Sequence, residues 1–159
     1  MTTLFRISLA IVLAASPYIA SAGQCDTKDG ARKTVTGLDA SMMSLKTNQK
    51  KREAAAQAEI DALTRKMVDS KRWTKQQSGA FYLEQMQSPA FSGLQKQKMD
   101  TLKEYMSATD AFVVQQKKKD FGKACPYAAK MLDSLTVITG LNDKQYAVML
   151  AAAHKAAAK

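Results

Sequence analysis

Glycine and proline are scarce in this chain, at seven and three of 159 residues. Runs of β-branched residues are few too, and no stretch alternates polar and apolar side chains as a strand does. A β-sandwich or barrel needs frequent turns and that alternation, so their scarcity points to long helices. Histidine occurs once, as His154 in an alanine-rich final turn. Nucleophilic systems built on Ser-His-Asp or Cys-His need an oriented, half-buried base, and this histidine is a poor one. A zinc site needs three or four Cys, His or acid ligands, and pairing of the two cysteines in a disulfide takes both out of such a set. Haem held between Met42 or Met43 and His154 has no further support. No Cys-x-x-Cys brings two thiols together for redox work, and no Gly-rich loop offers a phosphate cradle. The expectation is therefore a non-enzymatic protein with no catalytic residue, cofactor or metal.

Long hydrophobic runs are absent as well. Ile7–Ala15 is an apolar run of nine residues of which only Ser8 is polar. A membrane-spanning helix needs about 20. Arg6 precedes the run, Pro17 breaks it, and Ala20-Ser21-Ala22 supplies small residues where a signal peptidase reads. This is the pattern of a signal peptide over 1–22, cleaved after Ala22, and it implies a periplasmic or secreted protein. A lipidation site wants a small residue before its cysteine, and Gln24 precedes Cys25. In an oxidising compartment Cys25 and Cys125 are expected to form one intramolecular disulfide. Closing a loop of about 100 residues stabilises by roughly 4–5 kcal/mol in the chain-entropy model.

What is present is helical periodicity. Residues 23–37, with three glycines, read as an extended lead-in tied down by Cys25. From Leu38 to Lys71 nothing breaks a helix, and Met42, Leu45, Ala56, Ile60, Leu63 and Met67 recur on one face. Gln49 and Arg52 weaken the stripe, so its middle is expected to project or to face a wet partner. Thr74 with Gln77 is a capping-box pair opening a second helix. Ser88-Pro89 closes it and opens a third, whose inner face reads Phe91, Leu94, Leu102, Met106, Phe112 and Val113. Asp120 caps a fourth. Gly140 reads as a C′ glycine, and Asn142 with Gln145 as the capping box of a fifth. The fold expected is an all-α, single disulfide-stapled bundle of about five helices over 38–159, with a long, coiled-coil-like first helix. The methionines mostly fall on apolar faces and read as core.

Acidic residues are the minority, 14 against 24 basic ones, for a net charge of +10. The cations come in three knots: Lys46, Lys50, Lys51 and Arg52; Arg65, Lys66, Lys71, Arg72 and Lys75 around Trp73; and Lys117, Lys118, Lys119 and Lys123 at a turn. The interaction surface expected from them is Lys50, Lys51, Arg52, Arg72, Trp73, Lys75, Lys117, Lys118 and Lys119. Its partner would be an envelope protein or an anionic membrane or envelope surface, met by electrostatic attraction and then apolar contact. Nucleic acid is the weakest partner, since an exported protein rarely meets it and no reading motif occurs. Homo-oligomer contacts through the polar centre of the first helix stay open. One enzymatic alternative is an envelope-polymer hydrolase using Asp100 and Glu104, four residues apart on one helix face.

Leu141-Asn142-Asp143-Lys144-Gln145 is similar to the Leu-Thr-x-x-Gln motif of the periplasmic stress chaperones of the Spy/CpxP type, with Asn in place of Thr. The similarity covers these five residues, in one copy where that family has two. It implies a basic, all-helical, exported protein acting as a holdase for unfolded clients, the second expectation for function.

Overall fold

The computed structural model describes residues 25–158; the signal-peptide reading of 1–22 lies outside them. All regular structure among the described residues is helical: α1 Lys28–Asp69, α2 Lys75–Gln87, α3 Pro89–Lys117 and α4 Phe121–Ala157. The count is four helices, not five.

The helix starts follow the side chains that can accept an orphan backbone N–H. Thr27 Oγ1 accepts from Gly30 N at 3.1 Å. Thr74 and Gln77 form the reciprocal capping box, at 3.1 and 2.8 Å. Ser88 is extended, caps α3 through Phe91 N, and is followed by Pro89 at the first helical position. Asp120 Oδ1 accepts from Lys123 N at 3.1 Å and opens α4.

Long-range pairs fix the topology. The Cys25–Cys125 disulfide, with Cα atoms 5.7 Å apart, joins the starts of α1 and α4. Farther along, Arg52 Nε donates to both oxygens of Asp143 at 3.1 and 3.0 Å. At the far end the Arg72 guanidinium donates to the carbonyls of Ala157 and Ala156, both at 3.0 Å. Helices α1 and α4 therefore run parallel. The chain returns between them through α2 and α3, one descending path bent at Ser88. The bundle is three rods, up, down and up, with α1 and α3 both lying along α4.

The core has two centres. Ala31, Val35, Leu38, Ala108, Phe112, Cys125, Ala128, Met131 and Leu132 pack together near the disulfide. Ile60, Phe81, Met149 and Ala153 pack at the other end, flanked by Trp73, Tyr82 and Phe91. Between them α4 buries Leu135 and Leu141, and the rods also meet through polar groups: the Arg52–Asp143 pair, and Lys98 Nζ donating to Asn142 Oδ1 and Gln145 Oε1 at 2.9 Å each.

Several expectations need correction. The lead-in is shorter than expected, because 28–37 is helical through Gly30 and Gly37. Burial of Ala31, Val35 and Leu38 against α4 outweighs the two glycines. Gly140 does not end a helix: no glycine among the described residues has positive φ, and α4 continues to Ala157. Asn142 and Gln145 cap nothing, because α3 recruits their side chains. On α3 the inward seam is Phe91, Leu94, Lys98, Thr101, Tyr105, Ala108 and Phe112, a seven-residue repeat. Leu102, Met106 and Val113, expected inside, lie on the outer face. The polar centre of α1 faces α4, not solvent alone.

Candidate functional site

The Cys25–Cys125 bridge sets the first turn of α1 beside the α3–α4 turn. Lys28 and Arg32 thereby meet Lys118 and Lys119 around Asp120 and Phe121, in a shallow hollow at one end of the bundle. Segments 25–33 and 117–123 hold seven basic and three acidic side chains. None of those four cations is ion-paired among the described residues: of the three carboxylates in these segments, Asp26, Asp29 and Asp120, only Asp120 makes an ion pair, and it binds Lys123 at 3.4 Å. Asp120 is held below the usual carboxylate range, first by the backbone N–H of Lys123, so it stays charged as the cap of α4. Phe121 remains 38% exposed at the rim, giving the hollow an apolar edge. Because α1 and α4 are parallel, both present their N-termini here. Each helix adds roughly half a positive charge at that end.

The other expected surface residues are spread along the rod. Lys50 and Lys51 are exposed on α1, about 27 Å from Arg32 at 1.5 Å per residue. Arg52 is engaged with Asp143. Arg72 and Trp73 sit at the opposite end from Lys117, Lys118 and Lys119. The Arg72 guanidinium is spent on the last carbonyls of α4, and Trp73 is half-buried with its ring 5.4 Å from that of Phe81. Lys75 is exposed in the first turn of α2. The three knots thus do not form one patch, and the end that gathers cations does so with Lys28 and Arg32. Sequence reasoning misses these two because an extended lead-in carries no helix face on which to place them. The disulfide pairing was the signal that would have placed them.

Asp100 and Glu104 lie on the exposed side of α3, and Asp100 is bound to Lys103 at 3.0 Å. His154 Nε2 lies 2.9 Å from Glu59 Oε1 on the surface. No group of three or more His, Cys, Asp or Glu among the described residues is arranged to hold a metal. No described helix is long and apolar enough to cross a membrane. The disulfide fits an oxidising compartment.

A different surface feature runs along α3. Met99, Leu102, Met106 and Val113 are exposed at heptad spacing, Met106 by 59%. On α1 Met43 is 73% exposed, and Met86 on α2 is more than half exposed. The methionines are thus divided: Met67, Met131 and Met149 are core, Met42 is partly buried against it, and Met43, Met86, Met99 and Met106 are exposed.

Comparison of the chain with family models, curated proteins and solved structures returns no match.

Proposed function

We propose that this is an exported, non-enzymatic binding protein whose basic end docks on an anionic membrane or envelope surface. The observation that carries the reading is the gathering of Lys28, Arg32, Lys118 and Lys119 about the exposed Phe121 at the shared N-terminal end of α1 and α4. Four cations with no ion-pair partner among the described residues, and two aligned helix dipoles, make a positive end. The apolar rim then adds contact at short range. The signal-peptide pattern of 1–22 and the disulfide support a periplasmic or secreted setting. The hydrolase alternative gains nothing from α3, where Asp100 and Glu104 are exposed and Asp100 is paired with Lys103.

The test is co-sedimentation of the disulfide-bonded protein with vesicles containing anionic phospholipid. Binding is expected to fall about tenfold between ~50 and ~300 mM salt, as screening shortens the reach of exposed charges. The pair Lys118→Glu and Lys119→Glu is expected to weaken binding by a similar factor, and the pair Lys50→Glu and Lys51→Glu much less. Binding that ignores salt, or falls equally in both pairs, contradicts the reading.

The outward methionine seam of α3 supports a second reading, the holdase. Methionine is flexible and polarisable, so a row of them adapts to varied apolar clients. The similarity of Leu141–Gln145 to the Spy/CpxP-type motif points the same way, although that segment lies inside α4 with Leu141 and Gln145 buried. Suppression of aggregation of a reduced client, lost on Met99→Glu with Met106→Glu and kept on Lys118→Glu with Lys119→Glu, would select it over the anionic-surface reading.

A further inference from the structure

Between α1, the α2–α3 bend and α4 lies an open cleft of about 460 Å³. That volume is within the range of small-molecule sites. One wall is apolar, made by Met86, Phe91 and Met149. The other is polar and unusually organised. Lys98 is half-buried, and its ammonium donates to Asn142 Oδ1 and Gln145 Oε1, both at 2.9 Å. Gln145, only 4% exposed, is oriented by its own Nε2 donating to Gln95 Oε1 at 2.9 Å. No carboxylate among the described residues stands within ion-pair distance of Lys98.

An ammonium has three donors. Two are taken here, both by neutral amide oxygens. A charge drawn partly out of water and held only by amide dipoles is under-compensated, and an arriving anion completes it with a charge-assisted hydrogen bond. Glu53 lines the same cleft from α1, where its carboxylate accepts from Gln49 Nε2. Its negative charge disfavours a polyanion and confines an anionic group to the Lys98 wall. Burial, and then the Glu53 charge, push the phenol of neighbouring Tyr146 upward, so it lines the site as a neutral hydroxyl.

We propose that this cleft binds a small monoanion with an apolar body, of the medium-chain or aromatic carboxylate class. The carboxylate accepts from Lys98 Nζ, and the apolar part lies against Met86, Phe91 and Met149. The site is separate from the basic end: Phe121 and Gln145 are about 36 Å apart along α4.

Methyl NMR of the full, disulfide-bonded protein, titrated with hexanoate and with hexanol, tests this. Hexanoate is expected to shift the Met86 and Met149 methyls saturably, and hexanol to bind about tenfold more weakly, the scale of one lost charge-assisted bond. Met99 and Met106, on the outer face of α3, are expected to stay unmoved. Lys98→Met is expected to erase the preference for hexanoate. Asn142→Asp, which gives Lys98 a built-in carboxylate at nearly unchanged size, is expected to weaken hexanoate about tenfold while leaving the amide spectrum folded. The proposal is overturned by the absence of saturable shifts, by equal affinity for hexanoate and hexanol, by equal response of Met99 and Met106, or by an undiminished preference in folded Lys98→Met or Asn142→Asp.

Discussion

Two lysines carry a backbone conformation that belongs to glycine. Lys71 and Lys119 have φ of 59° and 57°. Each is the C′ residue of a Schellman motif: Arg72 N reaches Met67 O at 3.0 Å and Lys71 N reaches Val68 O at 3.0 Å; Asp120 N reaches Gln115 O at 3.2 Å and Lys119 N reaches Gln116 O at 2.9 Å. A side chain in the left-handed region costs roughly 1 kcal/mol, which glycine avoids. Lys119→Gly is therefore expected to raise stability by about 0.5–1 kcal/mol, after the entropy glycine adds to the unfolded chain. The same change removes a cation from the basic end, so vesicle binding is expected to weaken as Tm rises. A lower Tm would show that the Lys119 side chain contributes more than its backbone strain removes.

A second residue-scale device is the pair Tyr82–Asp61, with Tyr82 Oη donating to Asp61 Oδ1 at 2.7 Å. That bond is the main reason the Asp61 pKa lies below its ordinary 3.8. Tyr82 is pushed above 10.0, first by burial and then by the same bond. The sign follows from both. Asp61 contributes stability above its unfolded pKa and loses it as pH falls through the folded value; Tyr82 contributes below 10.0 and loses it as pH rises through its folded value. Tyr82→Phe is expected to cost about 0.5 kcal/mol at neutral pH, small because Asp61 is exposed. Denaturation at stepped pH is expected to show the difference between wild type and variant shrinking below about pH 4, where protonated Asp61 no longer favours the bond. A difference constant down to pH 2 would attribute the loss to packing.

Among the elements, the interior glycines are the most informative. Gly37 and Gly140 lie inside α1 and α4, neither has positive φ, and an added Cβ at either meets nothing within 4 Å. Alanine at each is expected to stabilise by roughly 0.5–1 kcal/mol. Were Gly140 a helix terminator, Gly140→Ala would instead destabilise, so chemical denaturation of this single variant decides between one continuous α4 and two helices. The starts of α2, α3 and α4 were legible from Thr74, Ser88 and Asp120, because capping is a local matter between neighbouring residues. The continuity of α4 and the inward face of α3 were not. Gln145 and Asn142 look like a cap until Lys98, 44 residues away from Asn142, claims their oxygens. On α3 the more apolar seam, Leu102 with Met106, is the outer one; the inner seam tolerates Lys98 and Thr101 because α4 supplies polar partners. Long-range pairing overrode local pattern in both places. The hollow at the basic end was half legible for a related reason: Lys118 and Lys119 stand out as a charge run, but Lys28 and Arg32 join them only once the disulfide is combined with a helical start to α1.

At the scale of the molecule, two apolar centres are separated by a polar waist of Arg52–Asp143 and Lys98–Asn142–Gln145. The disulfide closes a loop across 100 residues and fastens only the first centre, where Cys125 is itself fully buried. The far centre is fastened without it, by Arg72 on the α4 carbonyls and by the Trp73–Phe81 contact. Reduction, or the pair Cys25→Ser and Cys125→Ser, is expected to cost roughly 4 kcal/mol, much of the stability of a small domain. The loss is expected to be uneven. Amides of α1 between Ala31 and Leu45 should lose most of their hydrogen-exchange protection, since their burial against α4 depends on the clamp. Amides around Ile60 and Met67 should lose far less, since the second centre and the waist still hold them. The basic end would loosen with the first centre, so reduction should also weaken vesicle binding while hexanoate still fills the cleft at the waist. Uniform loss of protection along α1 would mean that the waist couples the two centres into one cooperative unit, and that the polar groups at Lys98 transmit order as well as bind.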